Sequence, residues 1–488
     1  MHQPSVTLAA LTWLPAAALA ASISSSPAQT ILGIGGSGAW WVKDLFQFPE
    51  ATRQNLSNLL FSQDGLGLSS YRWNVGGGGV GVNNPVRAPE TFYLGPGNYN
   101  WSADSQGVYF LREAAEHDVH DLTMFANTAP APLTAGGKSC GSSFVEGSGD
   151  AYATFLVDVL QHFRDEGINI NFVSPMNEPD NNFGDCGQEG MLVLPWQRPE
   201  VFNSLWNALN SKGLTNQVGI LADESSWLIE AAAEYPFWLS QVADKLAAVV
   251  HHTYDFPSDA GYRAYIASTK LLYPSKPTWM TEICCGLGEA DGSGRAYGGG
   301  YDPTIKNALM FSGLVFQSLI VGGESHYDFW TLVSSQIGCS PLNNPTCVNT
   351  PNSNGWTDGL IYYDGAHATN GNHELYITKH YWTYKHFGNF LKPGSQRHAI
   401  TGDGATNNMI AVSTSSKYFI IAMNPTNSDT TLSITFPNNE DVCVIASYRT
   451  SATEDFGRDF AVNGAGSNWA LPLKAMSLTT YEIDRKAC

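Results

Sequence analysis

Strand-like and helix-like segments alternate along most of this chain, and this alternation limits its fold more than any other feature. The strand-like segments are nearly continuous apolar runs, as expected for parallel strands covered on both faces. The clearest helix is predicted from Asp150 to Glu166, where apolar residues recur on one face before Gly167. About eight strand–helix repeats over about 350 residues predict an α/β fold, a (β/α)8 TIM barrel with large loop insertions. A doubly wound open sheet is the alternative, but no glycine-rich dinucleotide fingerprint opens the chain.

The pattern changes after Pro393 to short alternating strands separated by turn residues, which predict a small appended β-sandwich. The sandwich could also recruit an N-terminal strand from the residues before Gly33. We therefore divide the chain into a signal peptide (1–21), a catalytic barrel (22–390) and a C-terminal β-sandwich (391–488). The predicted sandwich strands are Met409–Thr414, Tyr418–Met423, Thr430–Phe436, Val442–Arg449 and Met476–Ile483.

The N-terminal segment has the pattern of a secretory signal. An apolar stretch from Val6 to Ala21 ends in small residues that suit cleavage, although no Lys or Arg precedes it. A transmembrane anchor is the alternative, but the apolar run is short and Pro15 interrupts it. Asn55 and Asn100 each begin a possible N-glycosylation sequence. We expect a secreted, extracellular glycoprotein.

Cysteine usage fits export. The chain has eight cysteines, and an even number in a secreted protein indicates disulfides. Two pairings are suggested by position, Cys339 with Cys347 in one loop and Cys443 with Cys488 at the C-terminus. No Cys-x-x-Cys pair has partner ligands at zinc spacing, so we predict no metal site.

The charge balance limits the partners. With 44 acidic and 25 basic residues, the chain carries a net charge of −19. Such a surface argues against nucleic acid and anionic membranes as partners, and it is compatible with a neutral polymer. We expect a monomer without a cofactor.

Two short motifs each place a glutamate at the end of a predicted strand. They are Met176-Asn177-Glu178-Pro179 and Trp279-Met280-Thr281-Glu282-Ile283, and their glutamates are 104 residues apart. The strand ends of a barrel meet at one rim, so Glu178 and Glu282 are expected to face each other across a pocket. Two such carboxyl groups, one protonated and one ionised, are what glycosidic bond hydrolysis requires. The alternative is a pair of solvated surface charges, but both glutamates follow apolar sequence and neither lies in a charge run.

These motifs resemble glycoside hydrolase family 30, in the clan (clan A) of retaining barrels with Asn-Glu on strand four and Glu on strand seven. The resemblance covers nearly the whole mature chain, and it implies a β-sandwich beside the barrel, Glu178 as general acid/base and Glu282 as nucleophile. The glycine-rich opening segment, with its Gly-Ser-Gly-Ala-Trp-Trp sequence, is most similar to the secreted endo-β-1,6-galactanase branch of the family. The segments that carry the resemblance are Gly33-Ile34-Gly35-Gly36-Ser37-Gly38-Ala39-Trp40-Trp41, Tyr71-Arg72-Trp73-Asn74-Val75-Gly76, Asn127-Thr128-Ala129-Pro130, Pro175-Met176-Asn177-Glu178-Pro179, His251-His252-Thr253-Tyr254 and Thr281-Glu282.

One segment departs from the family pattern. Many members follow the third strand with Ser-Pro-Pro-x-Trp-Met, whose Trp helps to wall the substrate cleft. Here the run is Thr128-Ala129-Pro130-Ala131-Pro132-Leu133, without a Trp. The linkage preference therefore does not follow from the resemblance.

Other residues at strand ends are candidates for substrate binding. Asn177 can donate to a sugar 2-hydroxyl, and Asn127 ends the third strand. Arg72 could keep a catalytic carboxylate ionised or form a structural ion pair. Tyr254 could bond the nucleophile or be a plain core tyrosine, and Trp330 could be the floor on which a sugar ring stacks.

Two further features have a less specific interpretation. His251 and His252 could be metal ligands, but without partners at ligand spacing they are better explained as core or hydrogen-bonding histidines. The run from Gly76 to Gly79 lacks the Lys-Ser/Thr of a phosphate loop, and a close approach of backbone to substrate is the preferred interpretation.

Together these features predict a secreted retaining endo-β-glycosidase acting on polysaccharide, with β-1,6-galactan of arabinogalactan side chains as the first choice. A β-1,6-glucanase, a xylanase or a glucosylceramidase of the same family are alternatives. A catalytically silent carbohydrate-binding protein is the alternative from another class. No Gly-x-Ser-x-Gly nucleophile elbow with a clear strand context supports an esterase.

Overall fold

The computed structural model describes residues 20–285, 299–459 and 462–488. Within these residues, eight parallel strands close into a barrel in sequence order, which confirms the predicted architecture. The strands are β1 (Gly33–Ser37), β2 (Ser70–Val75), β3 (Asp121–Ala126), β4 (Phe172–Ser174), β5 (Gly219–Ser225), β6 (Leu246–His252), β7 (Thr278–Glu282) and β8 (His326–Phe329). Most of the predicted signal peptide lies outside the described residues.

A helix follows each barrel strand and covers its outer face. The helices are α1 (Glu50–Phe61), α2 (Ser105–Glu116), α3 (Gly149–Asp165), α4 (Arg198–Ser211), α5 (Leu228–Trp238), α6 (Asp259–Leu272), α7 (Ile305–Phe316) and α8 (Lys379–Phe390). The apolar stripe read from the sequence is the buried face of α3, and Gly167 follows its end with a φ of 92°.

Close packing of β1 against its neighbour explains the glycines of the opening segment. A Cβ atom on Gly35 would lie 2.2 Å from the backbone oxygen of Ser70 in β2, so no larger residue fits there. Short elements fill the loops at the carboxyl ends of the strands. They are the helices Trp41–Leu45 and His367–Asn370 and the strands Tyr93–Gly95, Asn98–Tyr99, Ser142–Ser143, Met191–Leu192, Val333–Ser334, Ile361–Tyr363 and Leu375–Ile377.

A β-sandwich packs beside the barrel. Its ten described strands form one continuous hydrogen-bonded sheet around a separate hydrophobic core. The five strands predicted from sequence begin and end within one residue of the prediction. In sheet order the strands are Gly457–Asp459, Cys443–Thr450, Ser477–Asp484, Lys417–Asn424, Met409–Ser413, Gln396–Thr401, Ala20–Thr30, Thr430–Thr435, Asn468–Leu473 and Asn463–Ala465.

The strand Ala20–Thr30 belongs to this sheet although it precedes the barrel in the chain. It pairs antiparallel with Gln396–Thr401 and parallel with Thr430–Thr435, and Ile23 is buried in the sandwich core. It therefore joins the start of the chain to the C-terminal strands. The division of the chain at 21/22 and 390/391 stays a prediction.

The barrel and the sandwich meet at helix α8. His386 on α8 is fully buried and hydrogen-bonds Thr480 (2.7 Å) and Thr450 (3.0 Å) of the sandwich. Phe390 packs its ring against Phe419, 5.2 Å away. Polar and apolar contacts together make this a packed interface, so the sandwich supports the helix that follows β8.

Three disulfides join described cysteines, Cys140–Cys186, Cys339–Cys347 and Cys443–Cys488. Both pairings suggested by position are present. Cys284 and Cys285, next to the end of β7, are buried free thiols.

Within the described residues, one helical stretch, Ile305–Gly322, has the length and apolar composition to cross a bilayer. It is 78% buried inside the protein, where α7 packs against α8. This burial is typical of a core helix.

The glycine run after β2 wraps around a buried carboxyl group. The backbone N–H groups of Gly77 and Gly79 donate to the side chain of Glu189, at 3.2 Å and 2.9 Å. The N–H groups of Gly77 and Gly79 are therefore bonded within the protein, whereas the sequence had suggested that this backbone approaches a substrate. Burial raises the pKa of Glu189 to about 8, although the two N–H donors act in the opposite direction.

This raised pKa predicts how stability changes with pH. The folded state keeps the Glu189 proton where the unfolded chain has lost it, so this contribution to stability falls as the pH rises from about 5 to about 8. A Glu189→Gln variant is neutral throughout that range. Thermal melts at half-unit pH steps should show the wild type losing melting temperature relative to the variant as the pH rises. A constant difference between the two would contradict the assignment.

Candidate active site

Five ionisable side chains meet at the carboxyl ends of the barrel strands. Arg72 lies on β2, Glu224 on β5, His252 ends β6, Glu282 ends β7, and Glu178 follows β4. All five are buried, and together we call them the charge cluster. Because parallel barrel strands end at one rim, residues far apart in sequence come together there.

The two glutamates predicted from sequence face each other in this cluster. An oxygen of Glu178, an oxygen of Glu282 and a ring nitrogen of His252 all lie within 4.8 Å of one another. Glu178 has a positive φ of 47°, and its backbone N–H donates to the carbonyl of Glu224, 2.9 Å away. The neighbouring strand end therefore holds this residue in a backbone conformation that is rare outside glycine.

Glu282 is held from two sides. Nη1 of Arg72 donates to Oε2 (3.0 Å), and the hydroxyl of Tyr254 donates to Oε1 (2.9 Å). The structure thus places both residues, which the sequence singled out, against this carboxylate. These two hydrogen bonds fix the orientation of the carboxylate.

Sequence analysis did not identify Glu224, which lies beneath the other two carboxylates. It forms an ion pair with Arg72 (3.3 Å), and it accepts hydrogen bonds from His252 (3.0 Å) and the Thr281 hydroxyl. Burial alone would raise the pKa of Glu224, but Arg72, His252 and Thr281 bring it down to about 2. Glu224 lies just after a strand-like apolar segment of the sequence. An acidic residue at such a position is the signal by which it could have been identified.

His252 bridges the carboxylates. Its Nδ1 donates to Glu178 (3.0 Å) and its Nε2 to Glu224 (3.0 Å). Burial opposes the charged imidazolium, but Glu282, Glu178 and Glu224 raise the pKa of His252 to about 10. A protonated imidazole has no free lone pair for a metal. The group of Glu178, His252 and Glu282 therefore fits a hydrogen-bonded charge network better than a metal site.

The pKa of Glu178 is raised, as a proton donor requires. Burial raises its pKa, and the positive charge of His252 lowers it. The charges of Glu282 and Asp180 add to the increase. Two carboxyl groups this close cannot both ionise easily, and the raised pKa of Glu178 favours its protonated form.

Three other predicted residues surround the cluster. The Oδ1 atom of Asn177 accepts from Arg72 (3.4 Å), which turns the Nδ2 group of its amide away from the guanidinium. Asn127, at the end of β3, donates to Asn74 on β2 (3.3 Å). Trp330 follows β8. Its ring packs edge-on against the ring of Trp40, with the two ring centroids 4.7 Å apart.

Comparison with known proteins gives one family. A family model described as O-glycosyl hydrolase family 30 matches residues 19–337. A curated relative, an exo-β-1,6-galactobiohydrolase of Bifidobacterium longum subsp. longum, is 22% identical, over 65% of this chain and 26% of the relative. This chain thus spans about a quarter of that protein's length.

Solved structures share the whole fold. A conserved exported protein from Bacteroides fragilis has a TM-score of 0.76 at 19% identity, with 95% of this chain and 100% of that chain covered. The catalytic domain of a family 30 xylanase C from Talaromyces cellulolyticus has a TM-score of 0.70 at 21% identity, with 95% and 99% covered. Because the family match includes all eight barrel strands and both facing glutamates, the chain belongs to glycoside hydrolase family 30.

Proposed function

We propose that this protein is a secreted retaining endo-β-glycosidase that hydrolyses β-linked polysaccharide, with Glu178 as acid/base and Glu282 as nucleophile. The observation that carries the proposal is that one oxygen of Glu178 lies within 4.8 Å of one oxygen of Glu282. Retaining enzymes need about 5–5.5 Å between these groups, whereas inversion needs about 6.5–9.5 Å to admit a water. The separation observed here supports double displacement.

In the first step, Oε1 or Oε2 of Glu282 attacks the anomeric carbon of the bound sugar. The bond from that carbon to the glycosidic oxygen breaks, and Glu178 gives its proton to the departing oxygen. Arg72 and Tyr254 hold the carboxylate of Glu282 in position before the attack. The amide of Asn177 is available to the 2-hydroxyl, a contact that strengthens in the transition state.

In the second step, Glu178 is ionised and removes a proton from a water molecule. The water oxygen attacks the anomeric carbon, the ester to Glu282 breaks, and the sugar leaves with its original anomeric configuration. The imidazolium of His252 stays bonded to Glu178 through this step, so it stabilises the anionic form that the step requires.

β-1,6-Galactan of arabinogalactan side chains is the substrate we propose. The opening Gly-Ser-Gly-Ala-Trp-Trp segment resembles the endo-β-1,6-galactanase branch, and the curated relative is named for action on β-1,6-galactobiose units. β-1,6-Glucan and xylan are the next candidates, because similar structures include an endo-β-1,6-glucanase and a xylanase, and glucosylceramide follows them. A silent carbohydrate-binding protein would not need the paired, oppositely protonated carboxyl groups.

Secretion is part of the proposal. Three disulfides are compatible with an oxidising compartment, and one structural relative is described as exported. Asn55 and Asn100 are exposed and accessible to glycosylation. We propose a monomer with a polysaccharide as its partner, and no nucleic acid, membrane or cofactor.

The nucleophile can be tested by covalent trapping. A fluorinated mechanism-based β-galactoside should add its mass to the peptide that contains Glu282, because the trapped ester forms only on the attacking carboxylate. Glu282→Gln should fold normally, take up no label and release no sugar from β-1,6-galactan, β-1,6-glucan or xylan. Product sizing on these polysaccharides by the wild type identifies the substrate and distinguishes endo from exo cleavage. Sugar binding without labelling or turnover in the wild type would favour the silent binding protein.

The acid role of Glu178 predicts a dependence on the leaving group. Glu178→Ala should lose about 10²–10⁴-fold of kcat on polysaccharide, because the departing alkoxide needs a proton. The departing dinitrophenolate of a dinitrophenyl glycoside needs far less proton donation. The rate of the first step on this substrate should therefore fall much less. Equal losses on the two substrates would rule out the acid role.

His252 predicts a shift in the pH profile. Its positive charge lowers the pKa of Glu178, so His252→Gln should raise that pKa and move the basic limb of kcat/KM to higher pH. His398→Gln, in the sandwich, is the control and should leave the limb in place. A basic limb that remains at the same pH or moves to lower pH in His252→Gln would contradict the proposed coupling.

A further inference from the structure

Glu178, the proposed acid, begins a tight turn at the rim of the barrel. The carbonyl of Glu178 accepts from the N–H of Asn181 (2.9 Å), and Pro179 and Asp180 lie between these two residues. A hydrogen bond of this kind closes a four-residue turn and fixes the path of its backbone. The turn therefore holds Asp180 two residues from the acid.

Asp180 binds the end of the neighbouring strand with both of its carboxylate oxygens. Oδ1 accepts from the backbone N–H of Ser226 (3.0 Å), and Oδ2 accepts from the hydroxyl of Ser226 (2.6 Å). Ser226 is buried and directly follows β5, the strand that carries Glu224. Two bonds to one residue fix both the position and the orientation of the carboxylate. The turn after β4 is thus fastened to the end of β5.

Ser226 also holds the tyrosine that contacts the proposed nucleophile. The carbonyl of Ser226 accepts from the backbone N–H of Tyr254 (3.2 Å), and the hydroxyl of Tyr254 donates to Glu282 (2.9 Å). The turn of the acid and the partner of the nucleophile therefore share one anchor. Through Asp180, the two halves of the site are held by the same residue.

The charge of Asp180 acts on the acid as well. Burial is the main cause of the raised pKa of Glu178, and the negative charges of Glu282 and Asp180 add to the increase. The positive charge of His252 acts in the opposite direction. Asp180 and His252 are thus opposite influences on the proton of one carboxyl group.

Other ionisable groups surround Asp180, but among the described residues no cation forms an ion pair with it. Glu230 on α5 hydrogen-bonds Asp180, and burial, this bond and nearby negative charges raise the pKa of Glu230 to about 7. Arg198 on α4 forms its ion pairs with Asp223 (2.6 Å) and Glu234 (2.6 Å) instead. The negative charge of Asp180 is therefore not cancelled by a direct partner.

We propose that Asp180 is a positioning residue for the acid, because it fastens the turn of Glu178 to Ser226 and adds a negative charge near the charge cluster. The charge helps Glu178 to keep its proton until the departing oxygen takes it, and His252 stabilises the anion that is left. This inference rests on the proposed function, from which it takes the role of Glu178.

The inference predicts the direction of a pH shift. Asp180→Asn removes the charge and keeps the size of the side chain, so the pKa of Glu178 should fall and the basic limb of kcat/KM should move to lower pH, opposite to His252→Gln. Asp180→Glu keeps the charge and should move the limb less than Asp180→Asn. Asp158→Asn on α3, which accepts from the Tyr99 hydroxyl (2.7 Å), also removes one charge and is the matched control that should leave the limb in place. A loss of kcat that is equal at every pH in Asp180→Asn would indicate a merely structural role and overturn the inference.

A titration without substrate separates this inference from the proposed function. The side-chain carboxyl carbon of Glu178, labelled with carbon-13 and assigned by its loss in Glu178→Gln, should titrate at lower pH in Asp180→Asn than in the wild type. Asp180→Ser removes the same charge and is titrated in parallel, and thermal melts check that each variant is folded. An unchanged midpoint would overturn the inference, even for a wild type that hydrolyses its glycan through Glu178. A midpoint that falls in a protein that hydrolyses no glycan would overturn the proposed reaction and retain the influence of Asp180 on Glu178.

Discussion

The guanidinium of Arg72 is fully buried between Glu224 and Glu282, and the rest of the site depends on this positive charge. Removing carboxylates from water is costly unless cations and hydrogen bonds replace the solvent. The cluster holds three carboxyl groups and two cations, Arg72 and His252. If all five ionised, one negative charge would remain unbalanced. A proton on Glu178 restores neutrality, which agrees with the upward shift of its pKa.

This charge balance links structure to chemistry. Glu224 stays ionised under Arg72 and His252, so it supports the cations and does not compete for the proton. Glu282 lies beside Arg72, and burial raises the pKa of Glu178. The two facing glutamates therefore have different surroundings, and the retaining reaction that we propose needs two carboxyl groups that differ in protonation. The reaction we propose uses that difference in its first step and reverses it in the second.

The surrounding fold keeps this arrangement rigid. Every member of the cluster is on a barrel strand or directly follows one, and the sandwich braces α8, the helix after β8. The candidate catalytic groups are therefore attached to the rigid part of the fold.

Local sequence pattern determined much of this protein: the strand–helix alternation, the helix α3, the five sandwich strands, and the two glutamates at strand ends. These follow from periodicity, because a buried face must recur with the repeat of the element that carries it. Tertiary structure alone decided which charges meet. Arg72 and Glu282 are 210 residues apart, and neither Glu224 as their partner nor His252 as the bridge can be inferred from neighbours along the chain. Pairing of buried charges depends on distances through space, and only the closing of the barrel sets those distances.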